Sequence, residues 1–233
     1  MRLNYFIGQF DFSKKEIEIE EKEILHKIKN VLRLKVKDKI LLGDGNMNEV
    51  IVEISKIENR KISGNIVEKR KNNLEPQKEV NLFCALLKKD KFELLCQKVT
   101  EIGTRRIFPI ISKRSLRLNL NFERLKKIIK EASQQSFRGY LPELNEPIEF
   151  QEAILKCKKG DLNLIFDKNG NKIDNKIFKG KNKINIFIGP VGGWEKEEID
   201  FAKENGFLIL NLGKLNLRAE TAAIIAAFLS INL

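Results

Sequence analysis

Histidine and cysteine are nearly absent from this chain. His26 is the single histidine in 233 residues, and the three cysteines, Cys84, Cys96 and Cys157, include no pair at CxxC spacing. A zinc centre and a disulfide framework are therefore both excluded, and no metal is expected. Free thiols fit a reducing compartment. No apolar run approaches the ~18 residues that a membrane-crossing helix needs. The opening MRLNYFIGQF has no signal-peptide pattern, so a soluble, cytoplasmic protein without membrane contact is expected. GxGxxG is missing and so is GxxxxGK[ST], which excludes the dinucleotide fingerprint and the P-loop.

What is present is enough apolar material for a core, 42% of residues, in a length that suits one large domain or two small ones. Lys and Arg number 44 against 32 acidic residues, a net charge of +12. Such an excess has two sources, a polyanionic partner such as nucleic acid or a lysine-rich proteome. Residues 1–70 read as mostly β. Lys39–Leu42 runs into the turn Gly43-Asp44-Gly45-Asn46, then Val50, Val52 and Ile54 alternate with Glu49 and Glu53. A further strand spans Lys61–Val67. One short helix interrupts, with Ile24, Ile28 and Val31 expected on one face. The polar stretch Lys69–Lys78, containing Pro76, marks the boundary.

Residues 71–233 alternate between strands and helices. Val80–Leu87, Arg106–Ile111, Leu162–Phe166, Ile184–Ile188 and Phe207–Leu212 read as strands. Lys89–Ile102, Asn121–Phe137, Glu195–Asn205 and Arg218–Ile231 read as helices. This order implies an α/β domain with a mostly parallel sheet covered on both faces, whose ligands bind beyond the carboxyl ends of the strands. Two turns leave strands at such ends. IGPVGGWEKEEID, Ile188–Asp200, enters a helix rich in Glu195, Glu197 and Glu198, carboxylates that suit a helix N-terminus and repel phosphate. NLGKLNLRAET, Asn211–Thr221, is the second. Taken by residues alone, the pair is either two tight structural turns or the walls of one site for a ligand without phosphates.

Taken together, GPVGGW and LGKLNLRAETAA resemble the paired loops of the SPOUT methyltransferases, and most closely the RsmE family, which methylates N3 of a uridine in small-subunit ribosomal RNA. Three further blocks are similar in the same order: His26–Val36, Gln97–Gly103 continuing through Pro109 to Ser115, and Glu131–Arg138. The resemblance implies a PUA-like β-barrel over residues 1–70 and a SPOUT domain with a deep trefoil knot over residues 71–233. It also implies S-adenosylmethionine as methyl donor and a homodimer. Donor-binding residues are then expected at Phe166, Ile188, Gly189, Pro190, Gly192, Gly193, Leu212, Gly213, Leu215, Leu217 and Thr221. The chain departs from the family pattern at Val191, where Glu is common, and at Leu215-Asn216, where Arg-Ile is common.

Methylating a uracil nitrogen requires two positioned reactants and removal of a weakly acidic imide proton. With no histidine in the second half, positive charge is expected to stabilise the developing uridine anion. Arg218 and Arg138 are the candidates, and Glu220 either braces Arg218 or takes the proton. Basic candidates for RNA are Lys27, Lys29, Arg33 and Lys35, then Arg105, Arg106, Lys113 and Arg114. Tyr5, Phe6 and Trp194 are available either to stack on bases or to fill the core. Two other functions fit the same residues: a non-catalytic RNA-binding ribosome-assembly factor, and a SPOUT methyltransferase acting on another RNA such as transfer RNA.

Overall fold

The computed structural model describes residues 3–116 and 118–233. It divides into two units: residues up to Glu75 with Ser133–Leu141, and Pro76–Ala132 with Pro142–Leu233.

In the first unit, β1 (Asn4–Ile7), β2 (Glu16–Ile19), β3 (Lys39–Gly43), β4 (Asn48–Ile57) and β5 (Ile62–Lys71) form one sheet in the order β1-β3-β4-β5-β2. Only β1 and β3 run parallel. Alternate residues Ile40, Leu42, Val50, Val52 and Ile54 point into a core with Phe6, Ile17 and Ile19. Helix α1 (Lys22–His26) continues directly into a π-turn, Lys27–Val31, closed by the Leu32 N–H donating to the Lys27 carbonyl. The wider turn breaks the expected 3.6-residue spacing. Ile24 and Ile28 are buried as anticipated, but Val31 is rotated outward and is 63% exposed.

Ser133–Leu141 completes this unit. Met47 N–H donates to the Gly139 carbonyl at 2.9 Å, Leu141 N–H to the Gly45 carbonyl at 3.2 Å, and Tyr5 stacks on Phe137. A Cβ at Gly139 would lie 2.6 Å from that of Asn72, so only glycine permits the approach.

The second unit contains β6 (Glu79–Ala85), α2 (Lys89–Ile102), β7 (Arg106–Ile111), α3 (Phe122–Gln135) as far as Ala132, β8 (Glu143–Leu144), β9 (Ile148–Glu149), α4 (Phe150–Lys156), β10 (Leu162–Lys172), β11 (Lys183–Ile188), α5 (Lys196–Glu204), β12 (Leu208–Asn211) and α6 (Ala219–Asn232). The strand order is β12-β10-β11-β6-β7-β8, with β9 also on β7, and every pairing is parallel. One sheet face packs Val80, Leu82, Ile184, Ile186 and Leu164 against Phe92, Leu95 and Val99 of α2 and Ala223, Ala226 and Ala227 of α6. The other carries an aromatic layer, Phe83 stacked between Phe108 and Phe187, with Phe150 and Ala153 of α4 and Ala202 of α5 over it.

Near the amino ends of the strands, Asn81, Asn185 and Asn163 stand in register on β6, β11 and β10. They are buried and joined side chain to side chain, Asn81 donating to Asn185 at 2.9 Å and Asn185 to Asn163 at 2.8 Å. A satisfied polar ladder of this kind penalises any one-residue slip of the central strands.

Candidate active site

The register brings the two glycine turns together. Phe166 of β10 is paired with Ile188 of β11 on one side and Leu210 of β12 on the other, while Ile188 faces Cys84 of β6. The turn after β11 and the turn after β12 therefore leave the same sheet edge on either side of β10, about 10 Å apart at two inter-strand spacings. All eleven expected donor-binding residues, from Phe166 to Thr221, belong to this edge, its two turns or the start of α6.

The turn after β11 is braced by contacts with no sequence signal. Trp194 is buried against Gly189 and donates Nε1–H to the Phe166 carbonyl at 3.0 Å. A Cβ at Gly189 would lie 2.9 Å from the Trp194 ring, so this glycine is required by the tryptophan. Gly193 adopts φ 72, the left-handed region, and its N–H returns to the Pro190 carbonyl at 2.9 Å. Arg114 clamps the outside, donating to the Gly192 carbonyl at 2.7 Å and to Glu195 at 2.6 Å. Glu195 and Glu198 form a reciprocal capping box on α5, and Glu198 also accepts the Lys113 N–H at 2.9 Å. The glutamates that looked at odds with a ligand site thus cap α5 and hold the Ser112–Ser115 turn.

The turn after β12 is open. Asn211 fixes its start, donating to the Gly170 carbonyl at 2.6 Å and accepting the Gly213 N–H at 3.2 Å. Gly213 takes φ 127. From there Lys214–Arg218 is exposed, and the main chain of Lys214–Leu217 makes no hydrogen bond among the described residues. Backbone groups in this state are available to a ligand. Val191 at 86% and Leu215 at 83% exposure, the two departures from the family pattern, are the most exposed large apolar residues described. A recess lined by Leu87, Lys89, Glu93, Leu118, Leu120 and Leu125 shares no residue with either turn.

Arg218 is the exposed N-cap of α6, and Glu220 is buried in its first turn. Arg138 departs from expectation. It belongs to the first unit and makes a two-pronged ion pair with Glu75, at 2.7 and 3.1 Å, with both side chains almost fully enclosed. Tyr5 donates to its carbonyl, and the Tyr140 N–H donates to Glu75. The guanidinium is spent inside that unit, which withdraws Arg138 from the catalytic set.

The basic candidates separate in the same way. Arg33 and Lys35 are exposed, and Arg33 is held at φ 52. Lys29 instead donates to the Glu58 and Asn59 carbonyls, and Lys27 lies 3.9 Å from Glu23. Arg106 pairs with Glu79 and Glu143 at the amino end of the strands, opposite the two turns. Arg105 is half-buried beside it, its N–H donating to the Val80 carbonyl. Lys113 pairs with Glu197 at 3.0 Å, and Arg114 serves the turn already described. Tyr5, Phe6 and Trp194 are buried core residues, not exposed stacking platforms.

Among the described residues no cluster of histidine, cysteine or acidic side chains is placed to hold a metal, and no helix is long and apolar enough to cross a membrane.

The fold is shared with known proteins. Residues 73–230 match the RNA methyltransferase domain family and residues 14–67 the RNA methyltransferase PUA domain family. Ribosomal RNA small subunit methyltransferase E of Mesomycoplasma hyopneumoniae is 39% identical over 165 residues, 68% of this chain and 72% of that protein. Its namesake in Rickettsia conorii is 31% identical over 217 residues, 91% of this chain and 87% of that one. The crystal structure of a ribosomal RNA small subunit methyltransferase E from Neisseria gonorrhoeae bound to S-adenosyl methionine superposes with a TM-score of 0.89 at 27% identity, covering 97% of this chain and 95% of that one.

Proposed function

Because the chain belongs to the ribosomal RNA small subunit methyltransferase E family of RNA methyltransferases, we propose that it transfers a methyl group from S-adenosylmethionine to N3 of a uridine in small-subunit ribosomal RNA. The observation that carries the reading is the pair of glycine turns flanking β10, one braced and one with its main chain unengaged.

The residues present fit this donor. It has an adenine, a ribose and a sulfonium but no phosphate, and the edge offers main-chain groups and apolar side chains without a phosphate cradle. Lys214–Leu217 main chain would hold the adenine edge, and Leu212, Leu215 and Leu217 its faces. The Pro190–Gly193 turn would approach the ribose, with Gly193 in the left-handed region keeping it narrow. Bound there, the donor supplies an electrophilic methyl carbon. The chain's part is to hold the two reactants in line, exclude water and stabilise charge on the uracil. Arg218, exposed at the N-cap of α6 beside the open turn, is the residue for that charge.

Three finer features belong to the same proposal. A trefoil knot is supported by β12 lying outside β10 while α6, which follows it, packs back on β6 and β11. A homodimer is supported by α6, apolar on all sides, with Phe228 55% exposed on the side away from the core. RNA contact through Arg33 and Lys35 is supported by their exposure, and a cytoplasmic location by the ribosomal substrate.

Arg218→Ala tests the charge role. Turnover should fall by about 10²–10³-fold, the usual loss for one charge-stabilising donor, while calorimetry shows near-unchanged S-adenosylmethionine affinity. Normal turnover would remove Arg218 from the mechanism. A wild-type protein that failed to bind the donor would support the assembly-factor function instead.

A further inference from the structure

Enclosed carboxylates in this chain are almost all saturated with hydrogen bonds. Glu49 accepts from Asn72 and Arg70, Glu75 from Arg138 and the Tyr140 N–H, and Glu198 from two main-chain N–H groups. The less enclosed Asp161 and Glu93 accept from Asn185 and Arg124. Glu220 is the exception. It is 8% exposed, yet among the described residues its one ion-pair partner is the ammonium of Lys91, at 3.9 Å, beyond hydrogen-bond reach. It does not meet Arg218, the partner expected from the sequence.

The position of the pair matters as much as its isolation. Glu220 lies in the first turn of α6, two residues after the open turn ends at Arg218. Lys91 lies in the first turn of α2, six residues beyond the carboxyl end of β6, where it also stands 3.6 Å from Asp90. Glu220 is one of the charges acting on the buried Cys84 thiol, after burial itself and Cys96. Cys84 is level with Ile188, where the braced turn begins. The carboxylate is thus at the same sheet edge as both turns. An enclosed carboxylate that accepts no hydrogen bond from the described residues has lone pairs to give a substrate, and the Lys91 ammonium 3.9 Å away is placed to orient it.

We propose that Glu220 accepts the imide proton of the target base and that Lys91 is the positioning residue that holds its carboxylate for this task. This role for the pair rests on the uridine N3 reading. In the step, the methyl carbon leaves the sulfonium for N3, the N3 proton passes to a Glu220 oxygen, and the donor departs as a neutral thioether. Charge balances, because the cationic sulfonium and the carboxylate become two neutral groups.

The test measures methyl transfer to small ribosomal subunits, donor affinity by calorimetry and thermal melting for wild type, Glu220→Gln, Lys91→Met and Lys91→Arg. Glu220→Gln should lower kcat by about 10²–10⁴-fold, the range of a general base. Lys91→Met should lower kcat by about 10-fold or more, and Lys91→Arg should restore most of it. All four proteins should melt alike and bind the donor alike. Lys91→Met turning over normally would overturn the positioning role, and Glu220→Gln turning over normally would overturn both roles. Equal losses of donor affinity and turnover would overturn them too, by making the pair part of the donor site. A wild type that binds the donor but makes no 3-methyluridine would defeat the parent reading, and the proton-acceptor role with it.

Discussion

Gly189→Ala adds one methyl group, and the structure specifies what that group meets. Its Cβ would stand 2.9 Å from Cε2, 3.0 Å from Nε1 and 3.2 Å from Cδ2 of Trp194. Gly189 is not in the left-handed region, so alanine brings no backbone strain. The effect is steric alone. The buried ring packs on Phe150, 5.0 Å between centroids, within the aromatic layer and has little room to retreat. Forcing a methyl into packed surroundings costs about 1–3 kcal/mol, and stretching the Trp194 hydrogen bond to Phe166 adds about 1. A loss of roughly 2–4 kcal/mol lowers Tm by roughly 4–16 °C in a chain of this size. Trp194 is the sole tryptophan, so its fluorescence reports directly on the turn. Emission should shift to the red and S-adenosylmethionine affinity should fall with it. Adding Trp194→Phe should make the alanine less harmful than it is alone, because the colliding atoms are gone. Unchanged emission, stability and donor affinity in Gly189→Ala would refute the claim that Trp194 dictates this glycine.

Arg138→Ala leaves Glu75 enclosed without its partner and should destabilise the protein by about 3–5 kcal/mol in urea unfolding, with methyl transfer per folded molecule retained. Selective loss of turnover at full stability would return Arg138 to the catalytic residues. Arg33→Ala with Lys35→Ala should flatten the salt dependence of RNA binding by about 1.4 in log–log slope, because each phosphate no longer neutralised removes ~0.7, and leave donor affinity alone. An unchanged slope would move RNA binding to another surface. Burial pushes the Cys96 and Cys157 thiols up to about 12 and raises Cys84 further. Thiol reagents at pH 8 should therefore react slowly until denaturant is added, and rapid labelling of the native protein would contradict the described burial.

Much of the second unit was legible because its elements repeat on local rules. Helix α2 runs Lys89–Ile102 and stops at Gly103, φ 122, as the C-terminal glycine signalled. The five strands read from apolar runs all form, within a residue or two at most ends. β8 and β9 were missed, being two residues each, and α4, Phe150–Lys156, is too short for a clear period. What stayed hidden depends on partners far along the chain. Arg114 reaches Gly192 across 78 positions, and Arg138 reaches Glu75 across 63. Charge alone made both look free for RNA or substrate. Val31 leaves the expected face because one π-turn shifts everything after it. The glycine turns read as a site, but Gly189 serves a tryptophan five residues on, and Lys91 gives no sequence signal because its partner Glu220 lies on a different helix.

Methyl transfer from labelled S-adenosylmethionine to unmodified small ribosomal subunits, with nucleoside mass spectrometry of the product, tests the central claim most directly. Label incorporated as 3-methyluridine, and lost in Arg218→Ala, is the expected result. Label appearing on another base, or no label on subunits or naked ribosomal RNA from a folded protein that binds the donor, would contradict it.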